Sequence, residues 1–322
     1  MRSELAFSAD DLARTRFAVS PMWEVVTSYR LLRGTTTHPV HRPWAAQVHP
    51  RVAAAGLYSG WLAELVPAGS YIPDFLTPPP DDPAPAIEAE LAAIRATPAE
   101  HVRADLAKLP GSPRRRALAA DPAGRLAKLI AEIEVYWELA LAPYWARIRA
   151  VLDADVYHRA RQAAERGVGH LFDDLHSSLS WDDNTLRLVR KQCQMTRETP
   201  GPGLLLVPSA FASQSLSWIR PPLIPQVAYR ARGTGTLWEQ RPSPRTDAIA
   251  AVIGRSRTLL LAELAAPAST TELARRTGIS AAGVSQHLTA LREAGLVSTH
   301  RAGRFVLYAR TAAAESLITA AP

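Results

Sequence analysis

The stretch 269–310, STTELARRTGISAAGVSQHLTALREAGLVSTHRAGRFVLYAR, constrains the fold more than any other part of the chain. Ser269 and Glu272 have the spacing of a capping box that opens a helix. Leu273 and Ala274 give that helix small apolar contacts, and Arg275 and Arg276 fall in its last turn, where cations suit the helix dipole. Gly278 ends it, because glycine accepts the left-handed conformation of a C-cap. Ile279 is the apolar residue of the turn. Ser280 then caps a second helix, in which Val284, Leu288 and Leu291 recur at i, i+4 and i+7 as one buried stripe. Ala281, Ala282, Ser285, Gln286 and Thr289 are left outside the stripe, all small or polar. Gly295 closes this helix, and Leu296 and Val297 return the chain to the core. Two β-prone runs follow, 297–300 and 305–308, joined through Arg301-Ala302-Gly303-Arg304 with Gly303 at a turn position.

Cap, glycine turn, apolar stripe and basic hairpin in this order describe a winged helix-turn-helix. Its common use is to place the second helix in the major groove of DNA. The small polar face can enter a groove at little steric cost. Gln286 can donate to and accept from adenine in a bidentate pair. Ser285 and Thr289 reach bases or phosphates, and Ser280 and Ala282 belong to the same DNA-facing set. Arg275, Arg301 and Arg304 suit phosphates or the minor groove. His287 is read as a structural or phosphate contact, not a metal ligand. The competing reading is a winged helix that binds a protein partner.

Residues 246–318 resemble winged-helix regulators of the ArsR (arsenical-resistance repressor) family. The resemblance rests on Gly254-Arg255-Ser256-Arg257, Thr271-Glu272-Leu273-Ala274, Val284-Ser285-Gln286-His287-Leu288, Leu291-Arg292-Glu293-Ala294-Gly295-Leu296-Val297 and Gly303-Arg304-Phe305-Val306-Leu307-Tyr308. It covers about a quarter of the chain and is similar to members with a large N-terminal domain, as seen in actinobacteria. It implies a dimeric repressor whose second motif helix reads an operator in double-stranded DNA. One departure is plain. Metal-sensing members carry Cys-x-Cys in the first motif helix, and TTELARRTG has no thiolate to hold a soft metal. Residues 311–322 offer only Glu315 as a ligand for the alternative C-terminal site. The expectation is therefore no metal and no cofactor.

Charge agrees with this placement. The chain carries a formal +7. Residues 241–322 hold 10 Arg and 5 acidic residues, leaving +2 to the rest. The basic excess thus lies with the motif, as an electrostatic footprint should. A single cysteine, Cys193, excludes an internal disulfide and fits a reducing compartment. It is read as an inert thiol, with a redox sensor as the alternative. With no signal-peptide core and no membrane-length apolar run, a cytoplasmic location without membrane contact is expected.

The first 240 residues are read as an α+β domain for sensing or dimerisation, with 241–322 as the DNA-binding domain and Pro242-Ser243-Pro244 as linker. Ser8 and Asp11 form a capping box with Phe7 and Leu12 as a staple. Ser20-Pro21 opens a helix that stops at Gly34. Residues 77–85 form a proline-rich bend, Thr97-Pro98-Ala99-Glu100 starts another helix, and long helices cover about 122–141 and 143–166. Leu179-Ser180-Trp181 and 185–189 flank a hairpin turn at 182–184. Together with 204–207, 224–229 and 233–238 they suggest a small antiparallel sheet. All eight tryptophans precede the motif, as pocket lining or as ordinary core. His170, Asp173, Asp174 and His176 are the densest set of metal-ligand residue types, read as a solvated helix end. His38, His41 and His49 sit among prolines in a segment read as irregular. No Walker A, G-x-S-x-G, H-E-x-x-H or G-x-G-x-x-G pattern is present. The chain is therefore read as a regulator, not an enzyme, with a small organic effector as a further partner. A DNA-tethered enzyme and a protein-interaction module are the alternatives.

Overall fold

The structure is a computed structural model. It describes residues 2–34, 39–68, 71–176, 179–182, 184–189, 196–197, 201, 203–212, 224–238, 246–303 and 305–319. The chain divides into two compact units. The first comprises 1–38, 61–130 and 151–234, and the second 39–60, 131–150 and 235–322. The linker and boundary expected near 241 lie outside the described residues, as do Cys193, His38 and Trp218.

Unit 1 is helical with two small sheets. In the first sheet, β3 (Leu179–Asp182) and β4 (Thr185–Val189) form the expected antiparallel hairpin. Its turn carries Asn184 at φ 54°, a left-handed position that asparagine tolerates. β1 (Arg2–Ala6) joins β4 antiparallel, and β5 (Thr196–Arg197) joins β1 in parallel. The second sheet corrects the expectation for the later strands. β2 (Arg16–Phe17), β6 (Leu205–Ser209) and β7 (Gln226–Arg230) all run parallel, in the order β2-β6-β7. β6 is buried along its whole length and β7 nearly so. Parallel strands buried on both faces read as continuous apolar runs, so their direction is not written in an alternation. Residues 234–236, expected as strand, form a 3₁₀ turn.

The helix Pro21–Arg33 follows β2 with Ser20 as its N-cap and Gly34 beyond its end. It is buried on nearly every side, including Trp23, Glu24 and Tyr29. Two carboxylates fasten it. Glu90, from the helix Ile87–Arg95, accepts from Ser20 Oγ at 2.5 Å and from the Met22 N–H at 2.8 Å. Glu24 accepts from the Ala210 N–H just past β6, at 3.0 and 3.2 Å. Burial pushes the Glu24 carboxyl up to about 8 and Glu90 to about 7, against the hydrogen bonds that lower each. At the N-terminus the capping box at Ser8 and Asp11 forms as expected. Asp11 also accepts from the N–H groups of Gly201 and Gly203, tying two distant loops.

Unit 2 combines the C-terminal motif with two helical pieces from far earlier in the chain. One is the helix Arg42–Ala54. It corrects the irregular reading of that segment. Pro43 sits in the first turn, where its missing N–H would have had no helical partner. The helix also carries Pro50 in its interior. The other piece is the corner formed by the end of the helix Pro122–Ala140, a turn at 142–144 and the start of the helix Trp145–Arg166. Trp44 Nε1 donates to the Ala140 carbonyl at 2.8 Å, and Trp44 stacks on Trp238 with ring centres 6.2 Å apart. Tyr144 meets Trp238 edge-on at 5.5 Å, and Trp238 Nε1 donates to His41 Nδ1. Trp137 and Trp145 meet edge to face. These four tryptophans pack against neighbouring rings. In unit 1, Trp23 is core and donates to Gln226, and Trp181 packs on Phe7 and Phe172.

Candidate nucleic-acid interface

The motif folds from locally encoded ends. The helix Thr270–Thr277 opens with a complete capping box. Glu272 N–H donates to Ser269 Oγ at 3.2 Å, and Ser269 N–H donates to Glu272 Oε2 at 2.8 Å. Gly278 follows at φ 73°, the left-handed cap that a Cβ would strain. Ser280 Oγ accepts from the Gly283 N–H at 3.2 Å and opens the helix Ala281–Glu293. Val284, Leu288 and Leu291 are buried together with Leu260, Leu261, Leu264, Leu273 and Ala314, and Ile279 packs against this cluster.

The wing is β8 (Val297–Ala302) against β9 (Phe305–Arg310), each two residues longer than the sequence runs suggested. Ala302 pairs with Phe305, and Gly303 takes φ 56°, as a two-residue hairpin turn requires. At the base of the wing, Ala268 exchanges both backbone hydrogen bonds with Tyr308, at 3.1 and 2.9 Å. Arg310 lies buried and donates to the carbonyls of Leu261 and Ala262, closing the last turn of the helix Arg255–Glu263.

This packing leaves one face of the second motif helix open. Ser280, Ala281, Ala282, Ser285, Gln286 and Thr289 are all exposed, and His287 is half-buried. Arg275 and Arg276 are exposed at the end of the preceding helix, and Arg301 is exposed on β8. Arg304 lies outside the described residues. Thr289 Oγ1 donates to the Ser285 carbonyl at 3.0 Å, so its proton is spent within the helix and its lone pairs face outward. Ser280 Oγ already accepts a backbone N–H and keeps its own proton to donate. The face therefore offers a mixed set of donors and acceptors between exposed arginines. Such a set suits base edges flanked by phosphates.

Behind this face, unit 2 supplies supports that no local pattern announced. Arg51 donates to the Pro267 carbonyl at 3.3 Å, two residues ahead of the Ser269 cap. Burial pushes the Glu272 carboxyl up, but the Ser269 hydrogen bonds, with Arg51 and Arg276 adding, hold it below the ordinary glutamate value. Glu315 takes Arg147 at 3.0 Å and Arg310 at 3.5 Å. His300 Nδ1 donates to Glu138 Oε2 at 3.1 Å. Near the first motif helix lies a narrow cleft lined by Tyr144, Arg147, Pro267, Arg310 and Glu315, with room for about one water molecule. The histidine and acidic residues at 170–176 are engaged within the protein in part. Asp173 accepts from the Trp181 N–H, and Asp174 pairs with Arg159.

The fold and this face define a winged helix-turn-helix. Residues 258–299 match the family model of bacterial regulatory proteins of the arsR family. The match spans both motif helices and ends within β8. No curated protein and no solved structure matches the chain. The C-terminal segment is an ArsR-type helix-turn-helix, which makes the chain a DNA-binding transcription regulator. Among the described residues, no helix is long and apolar enough to cross a membrane.

Proposed function

We propose that the protein is a sequence-specific repressor that binds operator DNA as a homodimer and responds to a small organic effector. The observation that carries the DNA-reading part is the exposed polar face of the helix Ala281–Glu293, framed by Arg275, Arg276 and Arg301. In this reading Gln286 and Ser285 contact base edges, and Thr289 accepts from an exocyclic amino group. Ser280 and the arginines hold phosphates, and Ala282 lets the helix approach closely. Support for a dimer comes from apolar side chains left open on unit 2: Val252 is 84 % exposed, Leu259 40 % and Leu317 38 %. A two-fold dimer requires half-sites about 10 base pairs apart, or a multiple of that. The effector is proposed only as a class, with no residue assigned to it.

The test is selection of bound fragments from the source genome, followed by footprinting at two salt concentrations. The expected result is a palindromic site whose affinity falls steeply with salt. Gln286→Ala should cost about 1–3 kcal/mol on that site and relax specificity at one base, while Arg301→Ala should weaken all sequences alike. Equal loss on operator and random DNA for Gln286→Ala would remove that residue from base reading.

A further inference from the structure

We propose that Glu138, in the middle of the chain, is a positioning residue for the wing and acts through His300. The inference rests on the reading that the wing touches DNA, and it concerns how the wing is held for that contact. An isolated two-stranded hairpin is marginal in water. Here the third-strand contact lies at the base, where Ala268 pairs with Tyr308. Beyond Tyr308, among the described residues, no strand flanks the hairpin. His300 and Arg301 are successive on β8, so their side chains leave opposite faces. Arg301 is exposed, whereas the His300 side chain is only 14 % exposed and meets Glu138.

The histidine is held at both nitrogens. Nδ1 is 3.1 Å from Glu138 Oε2, and Nε2 is 2.9 Å from Ser298 Oγ. Glu138 is itself fixed in place. Trp137 and Leu139 beside it are buried, and the Ala140 carbonyl is taken by Trp44. A carboxylate in the last turn of a helix opposes the helix dipole, so this one gains nothing from its own helix. Its stabilising partner is the wing. Fixing the hairpin before DNA arrives lowers the ordering cost of binding, which is the gain a positioning residue supplies.

The experiment compares the full chain with Glu138→Ala, Glu138→Gln and His300→Ala. Amide hydrogen exchange is followed across 297–307, and affinity is measured for a selected duplex and for a random duplex of equal length. Glu138→Ala and His300→Ala should each speed wing exchange and weaken both duplexes by about 3- to 10-fold, the range of one ordinary hydrogen bond at a partly exposed site. Glu138→Gln keeps an oxygen that accepts from Nδ1 and should restore both readouts to within about two-fold of the parent. The double substitution should be no worse than either single one. Unchanged wing exchange in Glu138→Ala, or a Glu138→Gln protein as impaired as Glu138→Ala, overturns the proposal. If the parent chain binds neither duplex, the DNA reading fails, and the exchange data still decide the role of Glu138.

Discussion

The winged head and the parallel sheet of unit 1 hold themselves together over different lengths of chain. In the head, the caps join residues three apart: Ser269 with Glu272, and Ser280 with Gly283. Its apolar cluster is drawn from 253–318 alone. In unit 1, Glu24 reaches a backbone amide 186 residues away, and Trp23 reaches Gln226, 203 residues away. The three parallel strands begin at residues 16, 205 and 226. Local caps and a contiguous stripe cost little chain entropy to form, whereas distant pairing must be recovered from burial. Unit 1 accordingly invests in buried polar anchors, and the head invests in helix ends.

The sharpest way to break this contrast is pH. Glu24 and Glu90 have folded values raised by burial, to about 8 and about 7. A raised carboxyl contributes stability that is complete below its unfolded value and is lost as pH rises through the folded one. Unit 1 should therefore weaken between pH 5 and pH 9, by an amount on the order of 4 kcal/mol for Glu24. Glu24→Gln retains an acceptor for the Ala210 amide and should flatten that slope. Urea midpoints at the two pH values check this, and an unchanged slope would show that Glu24 is not the linked group.

A smaller effect is expected from the head's core. Leu288→Ala leaves a cavity beneath the second motif helix and should cost about 3 kcal/mol. Amide exchange should show the loss across 255–319, and no loss there would mean that the stripe does not carry the head. The smallest effect belongs to the caps. Ser269→Ala should cost about 1 kcal/mol, because the Glu272 N–H loses its Oγ acceptor while the backbone N–H of residue 269 keeps its bond to Glu272. Calorimetry of the parent and the variant measures it. A cost as large as that of Leu288→Ala would mean that the head depends on its ends as much as on its core.

Legibility followed the same division. Ser8, Ser20, Ser269 and Ser280 announce their helices because a cap is a chemical event within four residues. The exposed DNA-facing set could be read as the complement of the Val284, Leu288 and Leu291 stripe. The direction of β6 and β7 could not, since an apolar run looks the same in either orientation. Arg42–Ala54 was obscured by prolines that the first turn tolerates in one case and the helix interior accepts in the other. Glu138, Arg51 and Arg147 carry no local signal at all. Each is an ordinary helical charge until the fold brings its partner near.

By itself, then, the amino-acid order determined the head: two capped helices, a glycine turn, a wing and an open polar face, because each is settled by neighbours along the chain. Tertiary structure decided the parallel sheet and the burial of Glu24 and Glu90. It also decided that residues 39–60 and 131–150 join the same compact unit as the motif. Those outcomes depend on which distant surfaces exclude water together, and no short stretch of sequence contains that information.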